Sequence, residues 1–449
     1  MKGAKQRIRA ASELYGALLD RKRYARIFST IEARVEKDRR YGNSFALYEE
    51  LDLRWVLSRR RQVLRWVLGG VKRREYQVSP ARETLSRIGE KERIFYRLEW
   101  PDRLLQMVLA QAVAECCDDH FHPRLFSYRK GRGAVQAARL AARFARSQPS
   151  ESVFVLKRDV KSYGDRVPQD KLFDILHTFL KEADPFVRAL LRQFIAFRYI
   201  GIDGAEHLKS VGLPTGMPLN CVLENVYMTP VDQALGGIPG VSYMRYGDDL
   251  WLSTRSLETA RRLRDLLNDL AIEWDLLWHP DKSYDLCFER CDMDRSTCAD
   301  FQAVPHVLHL GVSINRRGHI DIPPERLARW RKDLKPVLRR ANLIARRLGL
   351  EGEERLRHIV HFANQFLNSI DGRFAKMDYL LTVVTHDQRF IEIDRWVAQS
   401  VLAAYYGRFS RCNFRRTPYS VLKRLGLESL YQRRQEMFAK AARRAKLRR

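Results

Sequence analysis

An aspartate closing one apolar run, and an aspartate pair set between two others, restrict what this chain can fold into more than any other feature. Ser152-Val153-Phe154-Val155-Leu156 is β-branched and aromatic and leads into Lys157-Arg158-Asp159, which predicts a buried strand with Asp159 at its end. Further on, Val241 to Tyr246 and Leu250 to Ser253 predict two strands joined at Gly247-Asp248, a hairpin with carboxylates at its tip. Hairpin turns favour Asp and Gly for backbone reasons alone, so the pair taken singly carries little. A central antiparallel sheet that brings these strand ends together changes its meaning, because Asp159, Asp248 and Asp249 then face one pocket. Three convergent carboxylates repel one another unless cations neutralise them, and hard oxygen donors suit Mg²⁺. Two such ions, roughly 3.5–4 Å apart, are suited to in-line phosphoryl transfer.

The charge balance points to what such a pocket would act on. Lys and Arg number 82 against 54 Asp and Glu, a formal charge of +28. The basic residues run through Arg59-Arg60-Arg61, Lys72-Arg73-Arg74, Arg339-Arg340, Arg346-Arg347 and Arg415-Arg416 to Arg448-Arg449, a long track that suits a polyanionic partner. No run reaches the roughly 18 apolar residues of a membrane span, so no membrane partner is expected. Met1-Lys2-Gly3 opens a polar, basic start without an apolar core, and the seven cysteines are an odd number, which together predict a cytoplasmic protein with reduced thiols.

Along the chain, residues 1–75 read as a basic helical N-terminal extension, with Leu51, Trp55, Val63, Trp66 and Val67 at helical spacing. Short strands are expected at Tyr76–Pro80 and Arg93–Leu98, a helix from Pro101 through Cys116, and helices over about 169–199. Gly212-Leu213-Pro214-Thr215-Gly216-Met217-Pro218 predicts a loop ahead of a helix carrying Asn225 and Tyr227. Past Pro324 the pattern turns helical, with Leu327, Trp330, Leu334, Val337 and Ile344 on one face. The resulting division is 1–75, 76–322 and 323–449.

These pieces, in this order, resemble the prokaryotic reverse transcriptases, particularly the group II intron-like lineage, over roughly residues 76–345. Lys91-Glu92-Arg93 with Trp100-Pro101-Asp102-Arg103 is similar to the family's fingers segment, and Phe126 to Gly133 to its Ser-Tyr-Gly-Phe-Arg-Pro-Gly-Arg-Ser segment. Asp159 to Asp165 parallels the first catalytic motif, and Tyr246-Gly247-Asp248-Asp249 the metal-binding hairpin, with glycine where alanine or methionine is commoner. His279-Pro280-Asp281-Lys282 resembles the motif whose lysine approaches the triphosphate, and Leu310-Gly311-Val312 the hairpin that grips the primer. The resemblance implies an α+β right-hand polymerase: fingers, an antiparallel-sheet palm and a helical thumb, extended by helices at both ends. It implies two Mg²⁺ ions on Asp159, Asp248, Asp249 and the Val160 backbone. It also implies nucleotide contacts from Lys91, Arg93, Tyr163, Gly164, Thr215, Gly216 and Lys282.

The resemblance further implies an RNA template, a DNA product and nucleoside triphosphates as substrates. The tail beyond residue 350 carries no signature of an endonuclease or ribonuclease H module. In that respect the chain is similar to stand-alone bacterial and phage enzymes, some linked to antiviral defence and working with a dedicated non-coding RNA; an oligomer is compatible with this. Three positions depart from the pattern. Gly164 stands where a bulky aromatic usually blocks a ribose 2′-hydroxyl, unless Tyr163 takes that role; Thr215 replaces glutamine; Asn220 replaces serine. Weakened discrimination against ribonucleotides is the expectation. A ribonucleotide-incorporating RNA polymerase, a catalytically silent RNA-binding protein and template-independent synthesis stand as alternatives.

Overall fold

The computed structural model describes residues 10–40, 47–88, 91–146, 152–213, 215–288, 299–368 and 377–446. Within that range the side chains of some helix and strand residues, Lys91 and Arg93 among them, lie outside the description, as does Pro214 entirely. The chain forms two compact units, one of residues 1–133, 152–287 and 292–302, the other of residues 134–151, 288–291 and 303–449.

In the first unit, strands follow a run of N-terminal helices: Leu14–Leu19, Arg21–Arg40, Leu47–Ser58 and Arg60–Arg73. The strands are β1 (Ala81–Ile88), β2 (Lys91–Arg97), β3 (Phe154–Asp159), β4 (Arg198–Ile200), β5 (Glu206–Leu208), β6 (Ser242–Tyr246), β7 (Asp249–Thr254) and β8 (Tyr284–Phe288). Val63 and Val67 are buried as their spacing predicts, whereas Trp55 and Trp66 are about half exposed, and the side chain of Leu51 lies outside the described residues. The Arg59 guanidinium lies 4.9 Å over Trp55, and Trp66 meets Tyr76 edge-on at 5.3 Å. The two indoles therefore cover the helix flank rather than its core face.

Tyr76–Pro80 is not a strand. Its polar groups are taken by side chains instead of a ladder: the Tyr76 hydroxyl donates to Asp102 Oδ1 at 2.8 Å, Ser79 N–H to Asp102 Oδ2 at 3.3 Å, and Val78 N–H to Gln193 Oε1 at 2.9 Å. Asp102 itself lies in the first turn of the helix Trp100–Cys117. The helices expected over about 169–199 are Gln169–Phe179 and Pro185–Ile195, the second capped by Asp184, which accepts from Phe186 N–H at 2.9 Å, and started by Pro185; the end of that stretch, from Arg198, is already strand β4.

β1 and β2 form an antiparallel hairpin that runs from Arg82 opposite Arg97 to Ile88 opposite Lys91. With β4 and β5 they make a sheet in the order β2-β1-β4-β5. In the central antiparallel sheet, β7 lies between β6 and β3, and β3 between β7 and β8. Leu156, Leu250 and Leu252 are fully buried there, and the helix Leu257–Glu273 packs on β3 and β7. This is the α+β architecture of a right-hand polymerase palm and fingers.

The second unit is mainly helical. Helix Ala134–Arg146 buries Ala137, Ala138, Ala141, Ala142 and Ala145 on one face. Short strands His306–His309, Val312–Asn315 and Ile320–Asp321 form an antiparallel sheet. Helices Pro324–Arg347, Gly352–Asn368, Gln388–Tyr406 and Leu430–Lys446 follow, with Trp330, Leu334 and Leu338 buried as packing residues of the first. Among the described residues, no helix is long and apolar enough to cross a membrane.

Candidate active site

The strand pairing converts three sequence positions into one site. β3 and β7 are registered so that Asp159 lies directly opposite Asp249. Val160 N–H, one residue past the strand, donates to the Asp248 carbonyl at 3.1 Å, which ties the hairpin tip to the end of β3. Gly247, at φ +67°, supplies the left-handed residue that the tight turn requires. Asp248 occupies the tip and Asp249 is already the first strand residue, so the two neighbours are held by different constraints.

Cations already stand beside two of the carboxylates. Lys282 Nζ lies 3.0 and 3.3 Å from the Asp159 oxygens, and Lys157 Nζ lies 3.6 Å from Asp249 Oδ2. The loop that carries Lys282 is wrapped onto Asp159: His279 N–H donates to the Asp159 carbonyl at 2.7 Å, and Asp159 N–H to Ser283 Oγ at 3.3 Å. Asp248 is exposed as a residue, yet the protein mass around its carboxyl, followed by the Asp159 and Asp249 charges, raises its pKa above the ordinary carboxylate value. Glu224 nearby is pushed up to about 7, first by burial and then by the Asp248 charge. Carboxylates that resist ionisation beside one another, all hard oxygen donors, fit divalent cations. Among the described residues no three carboxylate, His or Cys side chains are drawn together as a ready-made metal cluster. The fit therefore rests on this mutual repulsion and on the ammonium groups that offset it.

The loop before the helix Asn220–Tyr227 packs onto the segment after β3. Gly212 N–H donates to the Val167 carbonyl at 2.9 Å and Leu213 N–H to the Gly164 carbonyl at 2.6 Å. Gly212 has φ +76°, and a Cβ there would sit 2.3 Å from the Asp165 carbonyl oxygen, so only glycine fits. Thr215 Oγ1 reaches Asp165 Oδ1 at 3.4 Å, and the Thr215 carbonyl accepts from Tyr96 N–H at 3.3 Å. Gly216 is exposed, and a Cβ on it would approach the Phe95 ring at 3.1 Å. The structure thus gathers Gly164, Thr215 and Gly216 onto one loop system, with Lys282 at Asp159. Lys91 and Arg93 are placed only as backbone, on β2.

Tyr163 is placed differently from what a nucleotide contact requires. Its ring is buried and its hydroxyl donates to the Glu224 carbonyl. The phenol braces the helix below the pocket, and Gly164 remains without a substitute aromatic. Val160 is buried, with its N–H engaged as described.

The part that motif reading misses is a buried polar clamp behind the hairpin. Arg245 on β6 and Asp232 are both fully buried, joined by Nε to Oδ1 at 2.7 Å and Nη2 to Oδ2 at 2.8 Å. Arg245 Nη1 also donates to the Gly247 carbonyl at 2.9 Å and to Asn225 Oδ1 at 3.2 Å. Gly247 N–H donates to Ser127 Oγ at 2.8 Å, while Asn225 Nδ2 donates to the Ser127 carbonyl at 3.1 Å. Burial works against the Arg245 charge, but Asp232 outweighs it, so the guanidinium's pKa lies above its usual value. Both backbone groups of the turn glycine are thus held by buried side chains, the N–H by Ser127 and the carbonyl by Arg245.

A hairpin of carboxylates braced in this way on an antiparallel palm is the scaffold of a nucleotidyltransferase. Residues 89–314, just over half of the chain, match the family model described as reverse transcriptase (RNA-dependent DNA polymerase). The chain belongs to that family of nucleotidyltransferases. Comparison with curated protein sequences finds no match. Among solved structures it is similar to telomerase from Candida albicans in complex with the TWJ fragment of telomeric RNA, at 13% identity and TM-score 0.42, covering 79% of this chain and 64% of that one. Telomerase from Candida tropicalis gives 10% identity and TM-score 0.43, covering 73% and 62%. A partial Cas6-RT-Cas1–Cas2 complex gives 21% identity and TM-score 0.31, covering 58% and 43%. The chain spans less than two thirds of the length of each of these.

Proposed function

We propose that this protein is an RNA-directed DNA polymerase in which Asp159, Asp248 and Asp249, with the Val160 carbonyl, hold two Mg²⁺ ions. The observation that carries this reading is the register that sets Asp159 opposite Asp249, with Asp248 tied to Val160 at the same strand end. When bound, the ions would activate the primer 3′-hydroxyl and offset charge on the transferred phosphoryl group and departing pyrophosphate. The chain's own residues do the rest. Lys282 supplies an exposed positive charge beside Asp159, suited to triphosphate oxygens. Thr215 and Gly216 offer an exposed loop edge to the base pair, and the Arg245 clamp fixes the hairpin so that its carboxylates are pre-oriented.

The finer assignment is also proposed: a prokaryotic, group II intron-like enzyme of the cytoplasm, serving antiviral defence with a dedicated non-coding RNA as template. It is supported by the ordered motifs and by the net charge of +28. Sequencing nucleic acid that co-purifies with the protein from cells tests this part. A recurrent RNA with its complementary DNA supports it, and RNA of random origin with no product argues against it. Extension of a primed RNA template with deoxynucleotides and Mg²⁺ tests the activity itself.

A further inference from the structure

Glu224 lies beside the catalytic carboxylates but takes no part in the clamp that braces them. The helix Asn220–Tyr227 turns Asn225 inward to Ser127 and Arg245. Glu224, one position earlier, is half-buried, and its carboxyl feels the charges of Asp248 and Asp165. It therefore looks toward the hairpin tip and the segment after β3. A Cβ built on Gly164 would come within 3.1 Å of Glu224 Oε1. Neither backbone is free to retreat, because the Gly164 carbonyl accepts from Leu213 and Tyr163 donates to the Glu224 carbonyl. The bare glycine and the carboxylate are two sides of one fitted contact: a side chain at residue 164 requires the Glu224 carboxylate to shift from its present position by at least a few tenths of an ångström.

This contact flanks the place where a nucleotide's sugar must lie. For transfer to occur, the α-phosphate has to sit at Asp159, Asp248 and Asp249, and the sugar is joined to it through the 5′ ester oxygen. The sugar therefore meets whatever lines the pocket next to the aspartates. On the Gly164 side that lining is a carboxylate, which when ionised only accepts hydrogen bonds, and a sugar hydroxyl is a donor. Resting on the nucleotidyl-transfer reading, we infer that Glu224 is the specificity-determining residue for the sugar. Its carboxylate accepts a hydrogen bond from the 2′-hydroxyl of the incoming nucleotide, so the pocket admits ribonucleotides and selection rests on residue 224 in place of residue 164.

The test is insertion of a single nucleotide, as ribo- and deoxyribonucleoside triphosphate of the same base, by the full chain on a primed template, with kcat/KM for each. Glu224→Ala is expected to lower the ribo-to-deoxy ratio by about 10- to 100-fold, the range for a hydrogen bond to a charged group. Gly164→Ala should lower it less, by displacing the carboxylate a few tenths of an ångström. The double variant Gly164→Phe with Glu224→Ala should favour deoxynucleotides strongly. Should Glu224→Ala not fold, as read from its thermal melt, the near-isosteric Glu224→Gln replaces it, with a smaller fall in the same direction expected. A ratio unmoved by the substitution, or both sugars losing efficiency together, overturns the inference while leaving the polymerase reading intact. A wild-type chain that inserts neither sugar overturns both.

Discussion

Asp232→Asn removes one charge and almost no volume from the most deeply buried ion pair of the palm, and the expected damage can be worked from the contacts. Both Asp232 and Arg245 have 0% exposure, so the guanidinium cannot find water once its partner is neutral. An unpaired buried charge of this kind costs about 3–5 kcal/mol. At roughly 2–4 °C per kcal/mol for a folding unit of this size, the thermal midpoint should fall by about 6–20 °C. A cycle of Asp232→Leu, Arg245→Met and the double variant separates charge from packing. The double is expected to be more stable than either single, with a coupling of at least about 2 kcal/mol. It should not regain polymerase activity, because the Gly247 carbonyl still lacks its Arg245 donor. Denaturant unfolding followed by tryptophan fluorescence measures the cycle. Additive single effects, or a loss below about 1 kcal/mol for Asp232→Asn, would refute the argument that this pair braces the hairpin.

Other expectations follow from the same geometry. Gly212→Ala should cost more than the about 1–2 kcal/mol of a left-handed alanine, since its Cβ meets the Asp165 backbone at 2.3 Å; Gly240→Ala, also at positive φ but with open space around it, should cost no more than that strain, and the two melts should differ accordingly. Lys282→Ala should raise KM for the triphosphate about tenfold or more, the cost of one charge-assisted contact, in steady-state insertion assays; an unchanged KM places Lys282 outside the substrate site. Because the folded-state pKa values of Glu224 and Asp248 are raised, the metal-free protein gains stability from them at low pH and loses it as pH rises, for Glu224 through about 7. Mg²⁺ needs Asp248 ionised, so the gain in melting temperature on adding Mg²⁺ should shrink as the solution is made more acidic, and a pH-independent gain contradicts the assignment.

The carboxylates were legible because strand chemistry is local. A β-branched run into Asp159, and Gly247-Asp248 between two apolar runs, state the strand ends without knowledge of what surrounds them. Tyr76–Pro80 was misleading for the opposite reason: its apolar pattern fits a strand, but Asp102 and Gln193, distant in sequence, take its hydrogen bonds. The clamp left a faint signal, an arginine inside the apolar strand Tyr243-Met244-Arg245-Tyr246 and Asp232 in the short helix Thr229–Gly236 before it, but pairing them requires the sheet. Gly164 showed only that a side chain was missing; that Glu224 fills the neighbouring space depends on how the helix Asn220–Tyr227 lies against the segment after β3.

Primer extension on an RNA template by the wild-type chain and by Asp248→Ala, with Mg²⁺ present and then chelated, tests the three-carboxylate site most directly. The wild type should extend the primer only with Mg²⁺. Asp248→Ala should be slower by at least about a thousandfold while melting within a few degrees of the wild type, as expected for a group at the reacting phosphate. Extension by Asp248→Ala at a rate near that of the wild type, or undiminished synthesis after chelation, would contradict the site.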